Sequence, residues 1–531
     1  MRKGFGGGRT RASGGGLHRL RIGRNDRHDR GGRPLIGLDG RHSILASDAR
    51  WRHDQRARKR RLTARGRATL LAFAGFVLLC LSWWVEPFRT GGSAHALASL
   101  PPVGAGAPQP PAPQAPAAIA PDPAPAPLRT PVRVPGDLLE RLPVTRTALD
   151  LPATDGSDAR SAGHLLERVT GPGGVPLEVE YTLDAELMRH VFSVLRRGRV
   201  ALGNVVVMEP TTGRVLAYAS TDPERFPPTR HYPAASLVKV ITAAAAMHEA
   251  PRLARLPCRY TGSPYRLTPS RIDPPARGNT VSLRRALATS NNQCLAQLAV
   301  HALGTRHLMA AIDRFGWLDS PAPAHAAGQA DPGEEPYDLG KLGSGLAGSR
   351  ITPLHAAQLA AVLVHGELVS PRWVESVVEL GGARELEVPA PSAPRRVLSP
   401  GLTRELRDML VDTTRNGTAR RAFRGRGGHP LLGPVKVAGK TGSLSGKAPD
   451  GRYEWFIGVA PADSPRVAIA SVVVQDDLFW RTSSQIAADV LRGVFCEGKR
   501  CSPDKADRFI QVPKAAAELA RTGSEGAGSL N

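Results

Sequence analysis

The chain has 531 residues and carries 71 Lys/Arg against 47 Asp/Glu, a formal net charge of +24. Residues 1–67 alone hold 20 Lys/Arg and 5 Asp, a net of +15, so the other 464 residues contribute only +9. The basic character belongs to one tail, which argues against nucleic-acid binding by the folded body.

Residues 1–67 are rich in Gly and Arg, lack apolar periodicity, and are expected to form a basic disordered cytoplasmic tail. Residues 68–85, ATLLAFAGFVLLCLSWWV, carry no formal charge and are long enough to cross a bilayer core as a helix. Arg56, Arg58, Lys59, Arg60, Arg61, Arg65 and Arg67 precede this span, and only Glu86 and Arg89 follow closely. That asymmetry predicts a single-pass anchor in the cell (inner) membrane, N-terminus cytoplasmic, with the body periplasmic or extracellular. Ala94-His95-Ala96 resembles a processing site, but a 67-residue leader is too long for an ordinary signal peptide. Residues 86–164 read as a linker. Its stretch 101–135 holds 13 prolines among alanines, the composition of a semi-rigid polyproline spacer.

The folded body is expected over 165–495. Residues 204–209 and 214–220 read as strands joined through Pro-Thr-Thr-Gly. Helical patterns follow at 236–249, 282–289, 293–303, 306–315, 353–364 and 400–415. Strand patterns return at 435–441, 454–460 and 466–475, and a last helix at 483–494. Strands at both ends with helices between predict an α+β fold: one antiparallel sheet flanked by helices, plus an all-helical subdomain. Residues 496–531 read as a loose tail. Cys496 and Cys501 bracket a loop short enough for one disulfide. Cys294 lies on an apolar helix, where a buried thiol is the ordinary reading, and its pairing with Cys258 is left open. No paired His or second close Cys pair supports zinc, and no cofactor is called for.

Three short motifs stand in one order: Ser236-Leu-Val-Lys239, Ser290-Asn-Asn292 and Lys440-Thr441-Gly442-Ser443. A serine hydroxyl needs a base within hydrogen-bond reach. Spacing of three on a helix puts Ser236 and Lys239 on one face. The surrounding apolar helix predicts burial of Lys239, which lowers its pKa and lets the neutral amine act as base. Ser290 can relay a proton and Asn292 can hold a substrate amide. Lys440 and Thr441 can bind a carboxylate, and Gly442 lets a peptide backbone approach a strand edge. Each motif alone is weak. Ser502-Pro-Asp-Lys505 and Ser529-Leu-Asn531 repeat two of them in polar tail sequence. Helix capping is the plain alternative for Ser290-Asn291-Asn292.

Together the motifs match the set found in β-lactamases and penicillin-binding proteins. Over about residues 175–495 the chain resembles penicillin-binding protein transpeptidases. Tyr181–Leu187, Pro210–Ala217, Gly343-Ser-Gly345 with Ile351–Leu354, Gly417-Thr-Ala419 and Trp455–Pro461 carry the same likeness. The resemblance implies a β-lactamase/transpeptidase-like fold and a peptidoglycan D,D-transpeptidase that is acylated on Ser236 by D-Ala-D-Ala stem peptides. Lys239 would be the base and Ser290 a proton relay. Backbone N–H groups of Ser236 and Ser443 would form the oxyanion hole. Asn292, Lys440, Thr441 and Gly442 would bind substrate. β-Lactam antibiotics would acylate the same serine. The segment between span and body is too short and too proline-rich for a glycosyltransferase domain, so a glycosyltransferase or other cell-wall synthesis partner is expected. Two departures from the family pattern stand out: Ala235 replaces a frequent glycine and Val240 a frequent proline. The alternatives are a D,D-carboxypeptidase, which uses water as acceptor, and a catalytically idle β-lactam sensor or scaffold. A β-lactamase of the glutamate-using class is disfavoured, because Gly333-Glu-Glu-Pro-Tyr-Asp338 does not fit its Glu-x-x-Leu-Asn loop.

Overall fold

The computed structural model describes residues 134–136, 139, 163–380, 385–475 and 481–510. The basic tail, the apolar stretch 68–85 and most of the linker lie outside these residues. Among the described residues no helix is long and apolar enough to cross a membrane.

Strands β1 (His164–Thr170) and β2 (Pro176–Asp184) pair antiparallel and lead into helix α1 (Ala185–Arg197). Asp184 accepts the Leu187 N–H at 2.7 Å and so caps α1. The expected hairpin follows as β3 (Leu202–Met208) and β4 (Val215–Ser220). A 3-10 turn, Ala235–Val238, runs straight into α2 (Lys239–Glu249). Next come α3 (Leu283–Ala288), α4 (Asn292–Gln297), α5 (Gly304–Arg314), α6 (Pro336–Ser344) and α7 (Pro353–His365). After β5 (Val374–Glu379) and α8 (Pro400–Arg415) the chain returns to strands β6 (Ala438–Lys447), β7 (Asp450–Ala460) and β8 (Val467–Gln475). Helix α9 (Ser483–Phe495) follows, with a capping box between Thr482 and Gln485.

The main sheet is antiparallel, in the order β6-β7-β8-β3-β4. The two ends of the body meet at its centre, where Ala468 of β8 faces Met208 of β3 and Val474 faces Leu202. Both faces are buried. Trp455, Ile457, Ala470, Val472 and Val206 point into a core shared with α2 and α7. Phe456, Ile469, Val473, Val205 and Val207 point into a second core shared with α1 and α9. Burial on both faces explains why these strands read as continuous apolar runs and not as alternating ones.

Four sequence expectations need correction. The segment at 293–303 is not one regular helix: α4 ends at Gln297 and continues as a π-helical turn, Leu298–Leu303. The strand expected from 435 starts at Ala438, because Leu432–Val435 closes a turn through the Val435 N–H. Residues 502–510 are not loose. They form the 3-10 turn Pro503–Arg508 and bury Ala506, Phe509 and Ile510 in the second core. Cys294 is not a free thiol, since it is bonded to Cys258; Cys496 and Cys501 form a second disulfide.

A second sheet was not anticipated from sequence. It joins β1, β2, β5 and the short strand Glu385–Leu386, with β5 paired antiparallel to β2. Arg214, at the start of β4, is buried between the sheets. Its Nε donates to Glu375 Oε2 at 3.1 Å, and Glu209 lies at 3.9 Å. Removing Glu375 takes from the buried guanidinium its nearer carboxylate and leaves the more distant Glu209. Glu375→Ala is therefore expected to lower stability by about 3 kcal/mol. The check is a lower urea midpoint with an unchanged slope; an unchanged midpoint would show that the clasp contributes nothing.

Candidate active site

The site forms where three unconnected pieces of chain converge: the turn before α2, the α3–α4 junction and the edge strand β6. Ser236 sits in the 3-10 turn, one turn ahead of α2. Lys239 opens α2 and is fully buried. Its Nζ lies 2.7 Å from Ser236 Oγ, 2.6 Å from Asn292 Oδ1 and 3.3 Å from Ser290 Oγ. Ser290 and Asn292 flank Asn291, which accepts the Cys294 N–H and caps α4. The capping alternative thus holds for the middle residue only, while its two neighbours reach Lys239.

Lys440 of β6 is also fully buried. Its Nζ donates to Ser290 Oγ at 2.9 Å and to the Thr441 carbonyl at 2.7 Å. Ser290 therefore bridges two lysine nitrogens. Neither lysine forms an ion pair among the described residues. Desolvation, and then the nearby Lys440, hold the Lys239 ammonium well below its usual range. Desolvation pushes Lys440 down to about 7.

A groove of about 750 Å³ opens over this cluster, lined by Ser236, Ser290, Asn292, Thr441, Gly442 and Ser443 among others. Lys440 is beneath its floor and not on its surface. Lys440, expected with Thr441 to bind a carboxylate, is buried and donates to Ser290 and to the Thr441 carbonyl. Asn292 is likewise engaged, accepting from Lys239 and donating to the Tyr265 carbonyl at 2.7 Å. The Ser443 hydroxyl accepts from Arg452 Nε at 2.6 Å.

Thr418 is a groove residue to which the sequence reading assigned no role. Its hydroxyl lies 2.6 Å from that of Thr441. Its N–H donates to the Ala288 carbonyl at 2.9 Å, which fastens the turn to the end of α3. Gly417 permits this approach, because a Cβ there would stand 2.0 Å from that same carbonyl. The signal was Gly417-Thr-Ala419, seen in sequence as a likeness without a mechanism. Trp455 Nε1 donates to the Pro233 carbonyl at 2.8 Å and holds β7 against the serine-bearing segment. By contrast, Lys505 of the repeated Ser-x-x-Lys pattern pairs with Glu497 on the surface. Asp338 pairs with Lys341, and neither Glu334, Glu335 nor Asp338 lines the groove. Ser529–Asn531 lie outside the described residues.

Ala235 and Ser290 adopt positive φ, +51° and +55°. A side chain in the left-handed region costs about 1 kcal/mol. Ala235 stands where the transpeptidases that the sequence resembles often have glycine, and its positive φ is the backbone conformation that favours glycine. Gly345, also at positive φ, packs behind it; a Cβ there would lie 2.0 Å from the Ala235 carbonyl.

Three comparisons with known proteins bear on this site. The family model described as "Penicillin binding protein transpeptidase domain" matches residues 203–495. The peptidoglycan D,D-transpeptidase PbpA of Mycolicibacterium smegmatis is 30% identical over 396 residues, covering 65% of this chain and 77% of that protein. PbpA of Mycobacterium tuberculosis is 27% identical over 389 residues, with the same coverage of 65% and 77%. A solved structure of penicillin-binding protein A from M. tuberculosis, an imipenem acyl-enzyme complex, is 25% identical with a TM-score of 0.49, covering 59% of this chain and 78% of that chain.

Two outcomes are expected. Ala235→Gly relieves the left-handed side chain and raises the melting temperature by a few degrees; a fall would show that the turn is not strained. Lys440, lowered to about 7, binds fewer protons folded than unfolded between about pH 7 and about 10.4. Stability therefore rises with pH across that window. Lys440→Met should flatten the rise, as read from denaturation midpoints at pH 7 and pH 9.

Proposed function

We propose, from the premise that the chain belongs to the penicillin-binding protein transpeptidase family, that it is a serine D,D-transpeptidase acting on peptidoglycan stem peptides. The observation that carries the mechanism is Lys239 Nζ, buried, without an ion pair among the described residues and 2.7 Å from Ser236 Oγ. A neutral amine there takes the serine proton as Oγ attacks the penultimate D-Ala carbonyl. The positive end of the turn leading into α2 and the Ser443 N–H on the edge strand stabilise the oxyanion. Ser290, within reach of both lysine nitrogens, passes a proton to the departing D-Ala nitrogen and is recharged from Lys239. The same route, run with an incoming amine, deacylates the enzyme and forms the cross-link. Thr441 and Thr418 present paired hydroxyls to the terminal carboxylate, with the Lys440 charge behind them. The unpaired edge of β6 takes the peptide as an added strand.

In this reading residues 68–85 anchor the chain, the proline-rich linker spaces the body from the membrane, and the body works outside the cytoplasm. A separate glycosyltransferase supplies the glycan strands, and β-lactams acylate Ser236 as mimics of the stem terminus.

Ser236→Ala should abolish covalent labelling by a fluorescent penicillin, and Lys239→Met should slow it by about a hundredfold or more. Label that persists in Ser236→Ala would sink the acyl-enzyme mechanism. Labelling should rise with pH through the lowered Lys239 pKa, and Lys440→Met should move that limb to higher pH by removing a neighbouring cation. With stem pentapeptide, added amine acceptor should yield cross-linked dimer. Tetrapeptide alone would make the enzyme a D,D-carboxypeptidase. A reporter fused after residue 135 should be active only outside the cytoplasm.

A further inference from the structure

Residues 413–449 contain eight Lys/Arg and no Asp or Glu, a run of 37 residues bracketed by Asp412 and Asp450. Two of these cations are accounted for above or by pairing: Lys440 lies under the groove, and Lys436 Nζ pairs with Asp463 at 3.0 Å. Arg415, Arg420, Arg421 and Arg424 are exposed and form no ion pair among the described residues. They are not scattered. A concavity of about 660 Å³ is lined by Asn416, Thr418, Arg420, Arg421 and Arg424. It shares Thr418 and Arg421 with the groove over Ser236. It shares Asn416 and Arg424 with a further cavity of about 670 Å³ that Ser236 does not line.

Structural reasons cover only part of this cluster. Arg415 ends α8, where a cation suits the carbonyl end of a helix. Arg424 Nη1 donates to the Gly428 carbonyl at 2.9 Å and braces its own turn. Among the described residues no hydrogen bond or ion pair engages the guanidinium groups of Arg420 and Arg421. Three like charges lining one concavity repel one another, and an anion seated among them relieves that repulsion. Guanidinium forks match carboxylates in geometry as well as in charge.

We infer that this shelf is an anion-binding extension of the substrate groove, which holds free carboxylates of the donor stem outside its terminal D-Ala-D-Ala. The inference rests on the transpeptidase reading above and names what that site selects. It makes Arg420, Arg421 and Arg424 specificity residues for acidic stems over amidated ones.

The test uses the full chain and two synthetic donors, the pentapeptide L-Ala-γ-D-Glu-L-Lys-D-Ala-D-Ala and its analogue amidated at the glutamate α-carboxyl. D-Ala release is measured with each. The unsubstituted chain should use the acid with a KM lower by about tenfold, as one charge-assisted hydrogen bond permits. Raising the salt concentration should shrink that preference. Arg420→Gln/Arg424→Gln should bring the two KM values together with little change for the amidated donor, while Arg420→Lys/Arg424→Lys should retain much of the preference. Equal KM values in the unsubstituted chain, or a loss in the Gln variant that falls equally on both donors, overturns the inference. Penicillin labelling of the unsubstituted chain is run alongside. Absence of Ser236-dependent label defeats the transpeptidase reading itself, whereas label with equal KM values defeats only the shelf.

Discussion

Everything at the site depends on keeping two lysine nitrogens buried without a carboxylate among the described residues to neutralise them. Ionised groups in such a place are costly, and the protein meets the cost by lowering their proton affinity. Lys239 and Lys440 are joined through Ser290, so Lys440 adds to desolvation in discharging Lys239 and the hydroxyl between them has a nitrogen on either side. A carboxylate in this cluster would restore the charge of Lys239 and remove its basicity. The surrounding fold supplies instead a serine, an asparagine and carbonyls, which satisfy the amines as hydrogen-bonding groups without fixing their charge.

The architecture follows from that requirement. Burial of Lys239 needs a helix that is apolar around nearly its whole circumference, and α2 meets it with an alanine run closely packed among the surrounding helices. Close approach elsewhere is made by glycines at specific contacts. Gly345 lies behind the serine turn, and Gly417 lies against the end of α3. The strain that remains sits at Ala235 and Ser290, the residue before the serine and the bridging serine itself. Positive φ at these two places aims both hydroxyls at one nitrogen, so the conformational cost falls where geometry matters most.

The groove has two electrostatic characters. Over Ser236 its charge lies beneath the surface, in lysines that the solvent does not reach. Toward Arg421 it becomes an open shelf of exposed guanidinium groups. The first arrangement is suited to proton transfer and the second to holding an anion. That division accounts for the absence of acidic residues across the segment that links α8 to β6, since a carboxylate there would compete with a substrate's own.

The sequence by itself marked out Ser236, Lys239 and the order of the three motifs. Their spacing is local: four residues from a turn into a helix, three at a helix junction, four on a strand. It also determined the main strands, because burial on both faces leaves long apolar runs. The second sheet escaped it, since β2 and β5 are far apart in the chain and pairing between distant strands leaves no local mark. Only the tertiary structure decided that Lys440 lies under the groove and not on its wall, that Thr418 stands beside Thr441, and that Cys294 is bonded to Cys258. Each of these depends on which distant surfaces meet. A residue's type states what chemistry it can perform, but burial and partners, which arise only on folding, decide what it does.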